Sequence, residues 1–365
     1  MTEISYTNEL LDHSRNIQDD LGDQVIAFYF PDRKNELEKL LVAVSDNRYE
    51  PTESAADSFR NLWQHVFRNT DLADRELQKK GQEFFAKNSS DLMLLLGFLS
   101  LPYCYAAANG AEVLIRSKLI KEEPEKRLLE TAEFVLDVMA PNAFGANGKG
   151  LASILKVRLM HATIRYYVAQ DKSWSDTFGR PINQEDLAGT NLSFSLIPMR
   201  GLRNMARHMS GEESLAYIRY WSLVGKLLGL REELLPESMK AANVLERKIR
   251  KRQFRKSEAG INLTNALMSY FDQATRGTEL EGKGRAFSHF LLGETVANLL
   301  GLEVDVLKQR LFRPIPKFIK LRNVFLNKPD TYVSSLKRFS QQKEGKEGEE
   351  AFGLPRAFSS ASDAP

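Results

Sequence analysis

Three side chains in the run KVRLMHATIRYYV, residues 156 to 168, could do chemistry together: Arg158, His161 and Arg165. At about 100° per residue, Arg158 and His161 sit one helical turn apart, and Arg165 returns to within about 20° of Arg158. The three share a stripe on a helix that also carries Leu155, Leu159, Ile164 and Val168. Guanidinium groups do not deprotonate in proteins, so turning two of them toward a core costs several kcal/mol each unless something anionic faces them. Two kinds of partner meet that need. Asp or Glu from neighbouring helices would pair with the arginines and leave His161 a satisfied core histidine, or the stripe holds a bound anion or an anionic cofactor.

Histidine is scarce elsewhere, which makes absences informative. The five are His13, His65, His161, His208 and His289. No His-Glu-x-x-His occurs, which excludes a zincin site, and no Glu-x-x-His, of which a ferritin-like di-iron site needs two. Cys104 is the only cysteine, so an internal disulfide and the usual Cys-rich zinc or iron–sulfur sites are excluded. FGANGKG at 144 to 150 lacks the first glycine and the closing Ser or Thr of a phosphate loop. It reads better as a tight turn feeding the helix of His161. No Gly-x-Ser-x-Gly elbow is found.

The elements that must position these residues are helical. The chain has 365 residues, 42% hydrophobic and 27% charged, as in a soluble globular protein with a large core. Apolar residues recur three and four apart in RKNELEKLLVAV, ADSFRNLWQHVF, EKRLLETAEFVLDVM and SLAYIRYWSLVGKLLGL. The expected fold is all-α, one large helical domain of globin-like or bundle character spanning 1–335. QVIAFYF at 24 to 30 is left as a short strand or an apolar entry segment. Helix starts are read at Ser90 and Asp91, at Pro124 and at Gly211; stops at Asn109-Gly110, at Pro141 with GANGKG, at Gly229 and at Gly301. DLMLLLGFLSLPYCYAAANGAEVL, kinked by Pro102, belongs at the centre of the bundle. The polar residues 336–365 read as a disordered tail.

A net charge of +3, from 51 basic and 48 acidic residues, does not suggest a nucleic-acid partner. RKIRKRQFRK at 247 to 256, with seven cations in ten, is a solvated face or a surface for anionic lipid or another acidic partner. RLFRPIPKFIKLRN at 310 to 323 either packs on the domain or contacts a membrane peripherally. With no apolar run long enough to span a bilayer and no secretory signal at the start, a cytoplasmic protein or one on a membrane's cytoplasmic face is expected.

Haem b suits the anionic-cofactor reading of the stripe. Neutral imidazole ligates iron axially, nearby cations answer the propionates, and a single histidine leaves an iron face open for oxygen chemistry. At RLLETAEFVLDVM, VRLMHATIRYYV and GRPINQEDLAGTNLSFSLIPMRGLRNM, with weaker support from YWSLVGKLLGL, the sequence resembles the latex-clearing protein or rubber oxygenase catalytic-domain family. That family also includes the oxygenase that shortens a farnesyl chain in mycophenolic acid biosynthesis. The resemblance covers about 60 to 300. It implies a haem b pocket with His161 as iron ligand, Arg158 and Arg165 fixing the propionates or the histidine helix, and Arg127 and Thr131 on the distal side. It also marks a departure: where rubber-cleaving members carry a lysine just before that threonine, this chain has Glu130, a solvated or paired carboxylate or a base for an allylic proton. Glu112 lies where the family tends to place an acidic residue.

In PINQEDL, Asn183 can cap a helix whose first turn holds Glu185 and Asp186. Either acid could instead pair with Arg158 or Arg165. His289 is the second candidate ligand, and His208 is expected to be exposed. The expected function is a haem-dependent oxygenase using O2 on a C=C bond of an apolar isoprenoid- or lipid-like substrate. The alternatives are a non-enzymatic helical protein on a membrane surface, with the stripe as a salt-bridged core, and a haem peroxidase-like enzyme.

Overall fold

The histidine run lies in a 19-residue helix, Gly150–Val168, whose start is built by a residue about a hundred positions away. The Asn47 Oδ1 accepts from the backbone N–H of Leu151 (3.0 Å) and Ala152 (3.3 Å). Its Nδ2 donates to the carbonyls of Ala143 and Gly145, both at 2.8 Å. One side chain thus caps the helix and ties down the Gly-rich turn, in which a Cβ on Gly148 would sit 2.3 Å from the Ala143 carbonyl oxygen. Caps are worth about 0.5–2 kcal/mol and each further hydrogen bond about 1. Asn47→Ala is therefore expected to lower unfolding stability by about 2–3 kcal/mol, measured by urea denaturation; a loss below about 0.5 kcal/mol would show that the turn holds itself.

The computed structural model describes residues 6–68, 75–117, 124–277 and 281–303. In chain order its helices are α1 (Asn8–Ser14), α2 (Asp20–Tyr29), α3 (Lys34–Ala43), α4 (Asp57–Phe67), α5 (Arg75–Leu95), α6 (Leu101–Tyr105), α7 (Ala108–Arg116) and α8 (Pro124–Met139). Then follow α9 (Gly150–Val168), α10 (Gln184–Asn204), α11 (Gly211–Leu227), α12 (Met239–Gln253), α13 (Glu258–Ala274), α14 (Gly284–Leu292) and α15 (Glu294–Leu299). The fold is all-α; among the described residues extended pairing is limited to one isolated bridge, Ala107 with Phe254.

The apolar segment expected at the centre is there. Pro102 cannot donate to the helical ladder, and the chain passes through a π-helical turn, Leu96–Ser100, before resuming as α6. Within that turn Phe98 stacks on Phe271 of α13 at 4.1 Å and meets Phe287 of α14 edge-on at 5.3 Å. Alongside, α5 and α11 pack closely: Gln82 Nε2 donates to the Tyr220 hydroxyl (3.0 Å), and Phe84 meets Tyr217 at 4.9 Å between ring centres. Each such fully buried side chain contributes about 1.5–3 kcal/mol.

Three local expectations are corrected. QVIAFYF is helical, within α2, because Val25, Ile26 and Tyr29 form one buried helical face against the core. Ser90 and Asp91 do not start a helix; they are buried inside α5, where Asp91 is held by Arg207 Nε at 2.6 Å. Asn109-Gly110 opens α7 instead of ending a helix, and Asn109 is kept there by Arg255. The other signals fall where read: Ser210 and Glu213 form a capping box around Gly211, and Gly229 and Gly301 take positive φ after α11 and α15. Residues 310–323 and 336–365 lie outside the described residues.

Candidate functional site

The stripe on α9 divides. Arg158, 3% exposed, donates from Nε (2.6 Å) and Nη2 (2.7 Å) to the two carboxylate oxygens of Asp19, and from Nη1 to the Leu227 carbonyl (3.1 Å). Arg165 donates from Nε to Asp23 Oδ1 at 2.7 Å and lies 3.9 Å from Asp19. Asp19 is the residue just before α2, and Gly22 lets α2 approach: a Cβ there would come within 2.8 Å of Asp19 and 3.3 Å of Ala162. The anion facing the arginines is therefore carboxylate from α2. Neither arginine lines the cavity described next, whereas His161 does.

That cavity has a volume of about 260 Å³ and lies between α6 to α12, with a predominantly apolar wall that includes Leu101, Val113, Phe134, Val157, Ile164 and Phe194. It is larger than the roughly 150 Å³ apolar cavity that admits benzene. The His161 ring faces it and hydrogen-bonds no described residue. Burial, helped by the Arg165 and Arg127 charges and opposed by Asp19, pushes the imidazole down to about 3, so the ring is neutral at pH 7.

From α8, Arg127, Glu130 and Thr131 line the same cavity. Arg127 Nη1 contacts Glu130 Oε2 and Met160 Sδ, each at 3.1 Å, so Glu130 is paired in the wall. The Thr131 hydroxyl donates to the Arg127 carbonyl (2.8 Å), leaving acceptor lone pairs for the cavity. Glu112 pairs with Arg116, one turn along α7.

PINQEDL behaves as a capped helix start: Asn183 Oδ1 accepts from the Asp186 N–H at 3.0 Å. Its acids do not reach Arg158 or Arg165, a correction that follows from Asp19 and Asp23 already occupying those guanidiniums. Glu185 instead meets Arg15 (3.3 Å), Arg252 (2.7 Å) and Gln253 (2.9 Å), and Asp186 meets Arg15 (3.1 Å). Burial, with Glu185 adjacent, raises Asp186 to about 6 against the pull of Arg15. This network fixes α1, α10 and α12 at one end of the cavity. It also consumes part of the basic run 247–256, since Arg250 pairs with Glu246, Arg252 with Glu185 and Asp12, and Arg255 with Asn109.

His289 is buried but spent on the Leu302 carbonyl at 2.7 Å and does not line the cavity; His208 is exposed as read. Among the described residues no group of three or more His, Cys, Asp or Glu is placed to hold a metal ion. No described helix is long and apolar enough to cross a membrane. Sequence reasoning missed Asp19, whose signal was the acidic run DDLGD before QVIAFYF. It also missed Tyr103 and Arg200, which with Arg250 surround the buried Glu246 in the cavity wall.

Comparison with known proteins agrees with this architecture. The family described as ER-bound oxygenase mpaB/B'/Rubber oxygenase, catalytic domain, matches residues 88–321. A rubber oxygenase of Streptomyces sp. (strain K30) is 25% identical over 255 residues, 69% of this chain and 62% of that relative's own length. A solved structure of latex clearing protein LCP in the closed state superposes with a TM-score of 0.77 at 21% identity, covering 94% of this chain and 95% of the other. At that identity the likeness speaks for the fold.

Proposed function

This chain belongs to the ER-bound oxygenase mpaB/B'/Rubber oxygenase catalytic-domain family, and from that premise we propose that it is a haem b-dependent oxygenase acting on a C=C bond of an apolar isoprenoid- or lipid-like molecule. The observation that carries the proposal is His161: a neutral imidazole, without a hydrogen-bond partner among the described residues, in the wall of an apolar cavity. A core histidine normally spends its ring nitrogens on neighbours, as His289 does. An imidazole left open toward a void fits axial ligation.

The residues present fit the group. His161 would hold the iron. Arg158 and Arg165, bound to Asp19 and Asp23, hold the histidine helix against α2, the second of the two roles open to them from sequence. Arg127, kept in the wall by Glu130, lines the cavity that His161 faces. Haem, when bound, would supply the activation of O2 that no side chain can perform. The apolar lining admits an uncharged hydrocarbon substrate and keeps bulk water from it. Glu130 pairs with Arg127 at 3.1 Å, which suits a positioning role. The unit proposed is a single helical domain over 1–335.

The test is direct. Protein purified from haem-supplemented cells should show a Soret band and consume oxygen in the presence of an unsaturated isoprenoid. A colourless protein that gains no band on titration with hemin would end the proposal. A coloured protein that consumes oxygen with none of a panel of unsaturated lipids would leave haem binding intact and overturn the substrate class.

A further inference from the structure

Six side chains in the cavity wall carry hydroxyl groups: Tyr103, Tyr105, Ser117, Thr131, Thr190 and Ser193. Five of them have committed their proton inside the protein. Tyr103 donates to Glu246, Ser117 to the Leu114 carbonyl (2.7 Å), Thr131 to that of Arg127 (2.8 Å), Thr190 to that of Asp186 (2.9 Å) and Ser193 to that of Gly189 (2.8 Å). Tyr105 differs. It closes α6, is 3% exposed, and its hydroxyl hydrogen-bonds no described residue. A buried phenolic O–H normally finds a partner, and here the open direction is the cavity.

Tyr105 also lies within the field of Arg127. Burial raises the phenol strongly, the Arg127 charge opposes the rise, and the group stays protonated throughout the physiological range. It is therefore a donor, in the wall of the same cavity as Arg127, the one guanidinium of α8.

We propose that Tyr105 and Arg127 together form the hydrogen-bonding site for an oxygen-bearing small ligand in this cavity, with the Tyr105 O–H donating to the ligand's oxygen atom. The ligand class is a small acceptor such as dioxygen or a carbonyl. Thr131, which the resemblance puts on the distal side, does not supply that donor, because its proton is held by the Arg127 carbonyl of its own helix. The inference rests on the haem-oxygenase reading above.

Carbon monoxide is the probe. In the reduced, haem-loaded protein a hydrogen bond to the oxygen of bound carbon monoxide lowers the C–O stretching frequency, which infrared spectroscopy reads without turnover. Tyr105→Phe keeps the ring and its packing and removes only the donor; its C–O band should move to higher frequency than in the wild type. Tyr103→Phe, whose hydroxyl is spent on Glu246, should leave the band in place. A loaded Tyr105→Phe protein with the wild-type band overturns this inference alone, as does an equal shift in both variants. A protein that takes up no haem overturns the reading beneath it and this inference with it.

Discussion

Replacing Asp19 by Ala is expected to destabilise the protein by about 3–5 kcal/mol, enough to unfold a protein of ordinary stability under mild denaturant. Asp19 neutralises Arg158 through two hydrogen bonds of 2.6 and 2.7 Å and faces Arg165 at 3.9 Å, with both members of the main pair 3–4% exposed. Its removal strands buried charge that cannot be discharged by losing a proton. Asp19→Asn should be nearly as damaging, because the amide keeps the shape and not the charge. Urea midpoints of the two variants measure this, and a loss under about 1 kcal/mol would show that Asp23 carries the arginines by itself.

Acid should reproduce the effect. The Asp19 carboxyl is strongly desolvated, but hydrogen bonds and charge from Arg158, then Arg165, hold it below the usual carboxylate range. A depressed folded-state value means that its stabilisation is fully present above about pH 4 and is lost as pH falls below that. Asp23 and Asp186 act in the opposite sense, since burial raises both. For Asp186, raised to about 6, the folded state takes up a proton between about pH 6 and 4, and stability increases over that window as pH falls. His161, held down to about 3, and His65, also lowered by burial, act against that gain, because the unfolded state binds their protons first as pH drops below about 6.5. Wild-type stability should therefore not rise from pH 7 to 4, and its fall should steepen below about pH 4, with that steepening reduced in Asp19→Asn.

The second large effect is expected at His161. His161→Ala should abolish the Soret band of protein purified from haem-supplemented cells, with affinity falling by more than the roughly 100-fold that losing an outer-shell partner of a metal ligand can cost. Added imidazole should restore part of it by occupying the vacated space. In the haem-free protein the same substitution should change stability by about 1 kcal/mol or less, because the ring faces a void and breaks no hydrogen bond. A histidine that served only the core would give the reverse pattern, a large loss of stability and no spectral change. Full haem occupancy in His161→Ala would exclude it as the ligand.

Stabilities and spectra thus separate residues that the sequence places on one stripe. Periodicity determined the all-α fold, the long helix around His161, the need for an anion opposite Arg158 and Arg165, and the turn character of the glycines before Gly150. Those features are local, set by a 3.6-residue repeat, by charge that cannot be buried alone, and by the conformational freedom of glycine. Errors arose where a local signal was overridden. Ser90 and Asp91 look like a helix start, but Arg207 supplies the buried carboxylate with a partner, and the helix runs through.

What only the tertiary structure decided is which way each polar group of the stripe turns. Arg158 and Arg165 point to α2 because Asp19 and Asp23, well over a hundred residues earlier, arrive there. His161, one turn away, is left to the cavity. The same holds for Asn47 under the start of α9 and for Tyr105, whose free proton is visible only once the partners of its five neighbouring hydroxyls are known. Helical spacing places side chains on a face, whereas partners that come from distant segments determine which of them remain available for chemistry.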